Sequence, residues 1–110
     1  SEAIREMSEM AAKIDDMFEQ TIRVIEHDDP ASVERVLLGE KMIDGMHQEY
    51  RERHVKRLVQ GKCHPLSALV FVDFINNVEK VGDHLTNIVE AAKRGFIFDG
   101  KESGASVRGA

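Results

Sequence analysis

The sequence predicts an all-α fold, an antiparallel up-down-up bundle of three helices, on three observations. Aromatic residues make up only 5% of the chain and tryptophan is absent, while Ala, Leu, Ile, Val, Met, Glu and Lys dominate, a composition that favours helices over sandwiches or barrels. Apolar residues recur alternately three and four apart through long segments, the period of a helix with one buried face. The junctions between these segments are short and each carries a proline, so consecutive helices must fold back on one another.

The first helix is expected from Glu2 to about His27. Ile4, Met7, Ala11, Ile14, Phe18, Thr21 and Ile25 mark its buried stripe, widened by Met10, Met17 and Val24, whose methionines fill the core. Asp28-Asp29-Pro30 ends it and opens the next helix, with Asp29 as N-cap and Pro30 at the first helical position, where the missing N–H costs nothing.

The second helix should run from Pro30 to about Val59, with Val36, Ile43, Met46 and Tyr50 on its core side. Gly39 and Gly45 interrupt it, each at a cost of ~1 kcal/mol relative to alanine. The mixed-charge stretch Glu49, Arg51, Glu52, Arg53, Lys56 and Arg57 is expected to be a solvated face ending in cations where the helix dipole favours them.

Gln60-Gly61-Lys62-Cys63-His64 forms the next turn, with Gly61 as a left-handed terminator and Pro65 opening the third helix. That helix continues to Arg94, and Gly95 stops it. Phe71, Phe74, Val78, Val81, Leu85, Ile88 and Ala92 form its core stripe, and Phe96 and Phe98 are expected to close the end of the bundle. The bundle thus occupies residues 1–98, followed by a tail over 99–110, poor in apolar residues and expected to be mobile.

At 110 residues the chain has room for one domain. A formal charge of -5 argues against a nucleic-acid or anionic-membrane partner, since the basic residues cluster only modestly between Arg51 and Arg57. Cys63 is the single cysteine, so no internal disulfide can form and a reducing compartment is expected. No apolar run approaches the roughly 18 residues of a membrane span. A first residue Ser1 suggests processing or excision from a longer chain.

The chemistry concentrates in carboxylates. At about 100° per residue, Glu79 and Asp83 stack on nearly the opposite side of the third helix from its apolar stripe, with Asn76, Asn87 and Glu90 close by. Glu40 and Asp44 repeat the spacing in the second helix, so two adjacent helices present four carboxylates across a shared groove. Such crowding is costly unless water or a cation neutralises it, and oxygen-only sites suit Mg²⁺, Ca²⁺, Mn²⁺ or iron. A solvated acidic face is the alternative reading of the same spacing.

The phrase Asn77-Val-Glu79-Lys-Val-Gly82-Asp83-His84-Leu-Thr-Asn87-Ile88 resembles the signature helix of the phosphate-uptake regulator (PhoU) family, in which Glu-Arg-Ile-Gly-Asp-His-x-x-Asn-Ile recurs. Lys80 and Val81 replace the usual Arg and Ile, and Glu40-Lys-Met-Ile-Asp44 matches the family's other acidic motif. The resemblance, which covers about Ile14 to Lys93, implies a three-helix bundle, often one of two in tandem, with a multinuclear metal site on its surface. The implied ligands are Glu40, Asp44, Glu79 and Asp83, supported by Asn76, His84 and Asn87. A divalent or iron-type metal is implied, with Fe, Mn, Mg, Zn and Ca all open.

A single copy is most similar to the soluble domain following the membrane part of bacterial sodium/phosphate cotransporters, whose approach to the signature resembles Gly61-Lys-Cys63-His-Pro65. The resemblance therefore implies a non-enzymatic, cytoplasmic regulator of phosphate uptake, partnered by a membrane transporter portion of the same or another chain. Self-association through a shared metal is a further expectation.

Two other classes compete. A carboxylate-bridged diiron enzyme needs Glu-x-x-His on two helices with inward ligands, and the nearest approach here is the solitary Asp44-Gly-Met-His47. A metal-free interaction module would need none of the carboxylates. His47 and His54 are expected at the edge of the core on the Tyr50 side of the second helix.

Overall fold

The computed structural model describes residues 1–95. Three helices, α1 (Glu2–His27), α2 (Pro30–Val59) and α3 (Pro65–Lys93), pack each on the other two. The expected roles of Phe96, Phe98 and the tail lie outside the described residues.

The helix ends follow the local chemistry of the sequence. The Ser1 hydroxyl accepts from the Ile4 N–H at 3.2 Å. Asp28 closes α1 in the left-handed region at φ 51°, a conformation an aspartate tolerates better than most residues. The Asp29 carboxylate then accepts from the Ala31 N–H at 3.0 Å, with Pro30 behind it. Gly61 takes φ 70° after α2, and the His64 Nδ1 accepts from the Leu66 N–H at 3.1 Å to cap α3.

Rotation about the helix axes differs from the sequence expectation. In α1 the buried residues are Glu6, Met10, Met17, Gln20, Thr21 and Val24, whereas Ile4 and Phe18 are 61% and 56% exposed. In α3 the buried line is Ala68, Phe71, Ile75, Val78, Gly82, Leu85 and Val89, and Val81 is exposed. Both helices are apolar over more than one stripe, so two core phases a residue apart compete on alternate positions.

Close packing decides between the phases. Met17, fully buried, lies where a Cβ on Gly39 would come within 2.6 Å of its Cγ, and where one on Gly82 would come within 3.8 Å of its Cε. Gly39 is thus the place where α2 closes onto α1, not an interruption of the pattern. Turning α3 to bury Gly82 rotates its core by roughly 50° at 100° per residue.

The three grooves of the bundle differ in chemistry. Between α1 and α2 run polar links: Arg35 to Asp16 at 3.0 Å, the Tyr50 hydroxyl to Glu9 at 2.6 Å, and the Ser32 hydroxyl to Gln20 at 2.9 Å. The fully buried Glu6 accepts from Arg57 at 2.9 Å and from Arg53 at 3.2 Å. Because a buried carboxylate requires paired charge, Arg57 leaves the solvated face expected for its stretch, while Arg53 keeps part of its side chain in solvent. Arg57 also covers the Phe71 ring, on which the buried His54 stacks at 4.4 Å. Acidic groups fill the α2–α3 groove. Between α1 and α3, no side-chain hydrogen bond or ion pair forms among the described residues.

Candidate functional site

The rotation that places Gly82 in the core carries Glu79 and Asp83 from the expected outer ridge of α3 to its flank beside α2. There Glu40 reaches across the groove, with one oxygen accepting from the Thr86 hydroxyl at 3.2 Å. Carboxylate oxygens of Glu40, Asp44 and Asp83 all lie within 4.8 Å of one another. Two helices thus contribute to one cluster: the pair Glu40 and Asp44, one turn apart on α2, faces Asp83 on α3.

Glu40 is half-buried while Asp44 and Asp83 are exposed. Burial pushes the Glu40 carboxyl up to about 7, helped by a shared hydrogen bond with Asp83 and the negative charges of Asp83 and Asp44, against the Thr86 hydroxyl, which favours the charged form. A proton near neutrality on one carboxyl is how a crowded acidic site relieves its repulsion without a cation. The same three oxygen donors suit a hard divalent ion, which would displace that proton.

Glu79, the fourth expected carboxylate, does not join the cluster. Its Oε1 lies 3.7 Å from His47 Nε2, which is also 2.7 Å from Asn76 Oδ1. Asn76 is therefore held by His47, one turn beyond Asp44 on α2 and about two turns from Asp83 on α3. His84 and Asn87 are exposed, and among the described residues neither makes a side-chain hydrogen bond to the cluster. Asp44, His47 and Glu79 share the wall of a groove of about 810 Å³ that runs on past Arg51, Val55 and Lys56.

Sequence reasoning missed Thr86 and His47 as groove residues. Both were legible in principle: Thr86 falls three residues after Asp83, and His47 three after Asp44, the spacing that keeps side chains on one helical face.

The PhoU domain family model matches residues 7–92. The chain belongs to the PhoU domain family. It is 31% identical over 108 residues to the phosphate-specific transport system accessory protein PhoU homolog 1 of Thermotoga maritima, a match covering 92% of this chain and 46% of that protein. The chain thus spans about half the length of this PhoU relative. No solved structure matches it significantly. Among the described residues of this PhoU domain, no helix is long and apolar enough to cross a membrane.

Proposed function

We propose that this PhoU domain is a non-enzymatic regulator in phosphate uptake, acting in the cytoplasm as the domain attached to, or docked on, a sodium/phosphate cotransporter. Its working element is a metal ion held by Glu40, Asp44 and Asp83, with Glu79 near enough in the same groove to serve a second ion. Family membership supports the phosphate-uptake role. The observation that carries the metal reading is the meeting of three carboxylates from two helices within 4.8 Å.

A hard cation fits this donor set because every candidate ligand is an oxygen and the cluster otherwise retains a proton to limit its charge. When bound, the ion supplies positive charge at an acidic surface. Free phosphate is repelled by the bare carboxylates, and a divalent cation there cancels most of their charge.

Thermal melting with Mn²⁺ or Fe²⁺ tests the site, since an ion bound only by the folded state raises stability by mass action, by about 2.7 kcal/mol at a hundred times Kd. The parent should melt higher with metal, and a Glu40→Gln/Asp83→Asn double variant should not respond. Equal responses in parent and variant would remove the metal from the mechanism and leave an interaction module.

A further inference from the structure

Apolar side chains gather at one end of the bundle, around the turn that joins α2 to α3. Val59, 82% exposed in the last turn of α2, and Leu66, 69% exposed in the first turn of α3, are the two most exposed large apolar residues among the described ones. Val55, one turn before Val59, and Leu69, one turn after Leu66, lie exposed on the same sides of their helices. The N–H groups of the turn find partners within the chain: Gln60, Gly61 and Lys62 donate to the carbonyls of Lys56, Leu58 and Arg57 at 3.0, 3.0 and 2.9 Å, and His64 Nδ1 accepts from Leu66 at 3.1 Å. A helix end closed in this way can enter an apolar layer without stranding these donors.

The charge at this end is also unlike that of the rest. From Arg51 to Val70 five lysines and arginines stand against Glu52 alone, in a chain of net charge -5. The acids beside them are already engaged: Glu2 and Glu6 hold Arg57, Glu6 and Glu49 hold Arg53, and Glu9 takes Arg5 and the Tyr50 hydroxyl. Arg51, Lys56 and Lys62 are exposed and take no ion pair among the described residues.

We propose that this end of the bundle docks on an anionic membrane surface, with Val59 and Leu66 entering the headgroup layer while Arg51, Lys56 and Lys62 pair with lipid phosphates. An apolar tip among free cations is complementary to that surface on both counts, since the interface takes aliphatic side chains at headgroup depth and long cationic stems reach its phosphates. The net charge of the sequence argues against such a partner; its distribution, once α1 has paired Arg53 and Arg57, argues for it. Fifteen residues of α2 separate Val59 from Asp44, roughly 22 Å of helix, more than two Debye lengths of ~8 Å at physiological salt. The carboxylate groove therefore does not repel the lipid, and the docking rests on neither the metal nor the transporter reading.

Cosedimentation of the full chain with phosphatidylcholine vesicles, with and without phosphatidylglycerol and with chelator present, tests the inference. Binding is expected only with phosphatidylglycerol and should weaken as salt is raised. Lys56→Gln/Lys62→Gln should weaken it by roughly 25-fold, at about fivefold per cation. Val59→Ser/Leu66→Ser should weaken it by about tenfold or more, and neither pair should change helical circular dichroism, as all four positions are exposed. Leu38→Ser and Lys93→Gln, at exposed positions on the far half of the bundle, should bind like the parent. A spin-labelled lipid should broaden the amide signals of residues 55–70 and spare those around Asp28. No binding to the anionic vesicles overturns the inference and leaves this end to a protein partner. So does binding that survives either double variant, that the far-half variants weaken equally, or whose broadening centres elsewhere.

Discussion

At the scale of the residue, Glu6 shows how a charge survives in the core. Its carboxylate is fully buried and held by Arg57 and Arg53, and Arg57 in turn reaches Glu2 at 2.7 Å and lies over Phe71. The α1 N-terminus is thereby tied to the α2 C-terminus. Breaking such a pair costs more than replacing it, because the survivor keeps its desolvation penalty. Arg57→Leu should therefore destabilise the bundle by roughly 3 kcal/mol, and adding Glu6→Leu should recover part of the loss. Denaturant unfolding of both single variants and the double variant checks this; additive losses would show that Glu6 and Arg57 act independently.

At the scale of the element, the two glycines of α2 separate propensity from packing. Gly45 has nothing within 4 Å of where a Cβ would stand, so Gly45→Ala should stabilise by about 1 kcal/mol, the propensity difference alone. At Gly39 the added methyl would press on the buried Met17 Cγ at 2.6 Å, and overpacking costs ~1–3 kcal/mol. Gly39→Ala should therefore lower the melting temperature while Gly45→Ala raises it; a rise in both would mean that Met17 yields freely. This contrast also explains what the sequence could disclose. Helix ends were legible because Asp29-Pro30, Gly61 and Pro65 act locally, and a helix reader needs nothing beyond neighbouring residues to place them. Rotation was not, since Ile4 and Phe18 are as apolar as Met10 and Met17, and only the partner helix, through Gly39 and Gly82, chooses between the stripes. The carboxylates inherit that ambiguity. Their four-residue spacing was legible, but whether Glu79 joins Asp83 or turns to His47 depends on which flank faces α2.

At the scale of the whole molecule, two titratable groups, the half-buried Glu40 and the buried His54, impose opposite pH dependences on stability. The Glu40 carboxyl is raised from its ordinary value of 4.5 to about 7, chiefly by burial and then by Asp83. Its stabilising contribution is complete below the unfolded value and is lost as pH climbs toward 7, because folding then confines a charge among like charges. His54 is lowered from 6.5, first by burial and then by the Arg57 charge, which outweigh the opposing hydrogen bond to the Ala68 backbone and the charge of Glu6. Its contribution is present above 6.5 and is lost as pH falls below that value toward the lowered one, because the folded chain resists protonating it. About twelve residues of α3 separate Phe71, under His54, from Asp83, roughly 18 Å of helix, so the two effects should add. In metal-free buffer the parent should thus change little in melting temperature between pH 5 and 6.5, where the slopes oppose, and decline between 6.5 and about 7. Glu40→Gln should remove the falling limb, leave a rise with pH up to about 6.5, and exceed the parent at pH 8 by about 1–2 kcal/mol after allowance for solvent screening. His54→Gln should leave only the fall. Melting curves across this range decide the matter: a Glu40→Gln profile parallel to the parent's would mean that the acidic groove carries no retained proton, and that the crowding of Glu40, Asp44 and Asp83 is relieved by solvent alone.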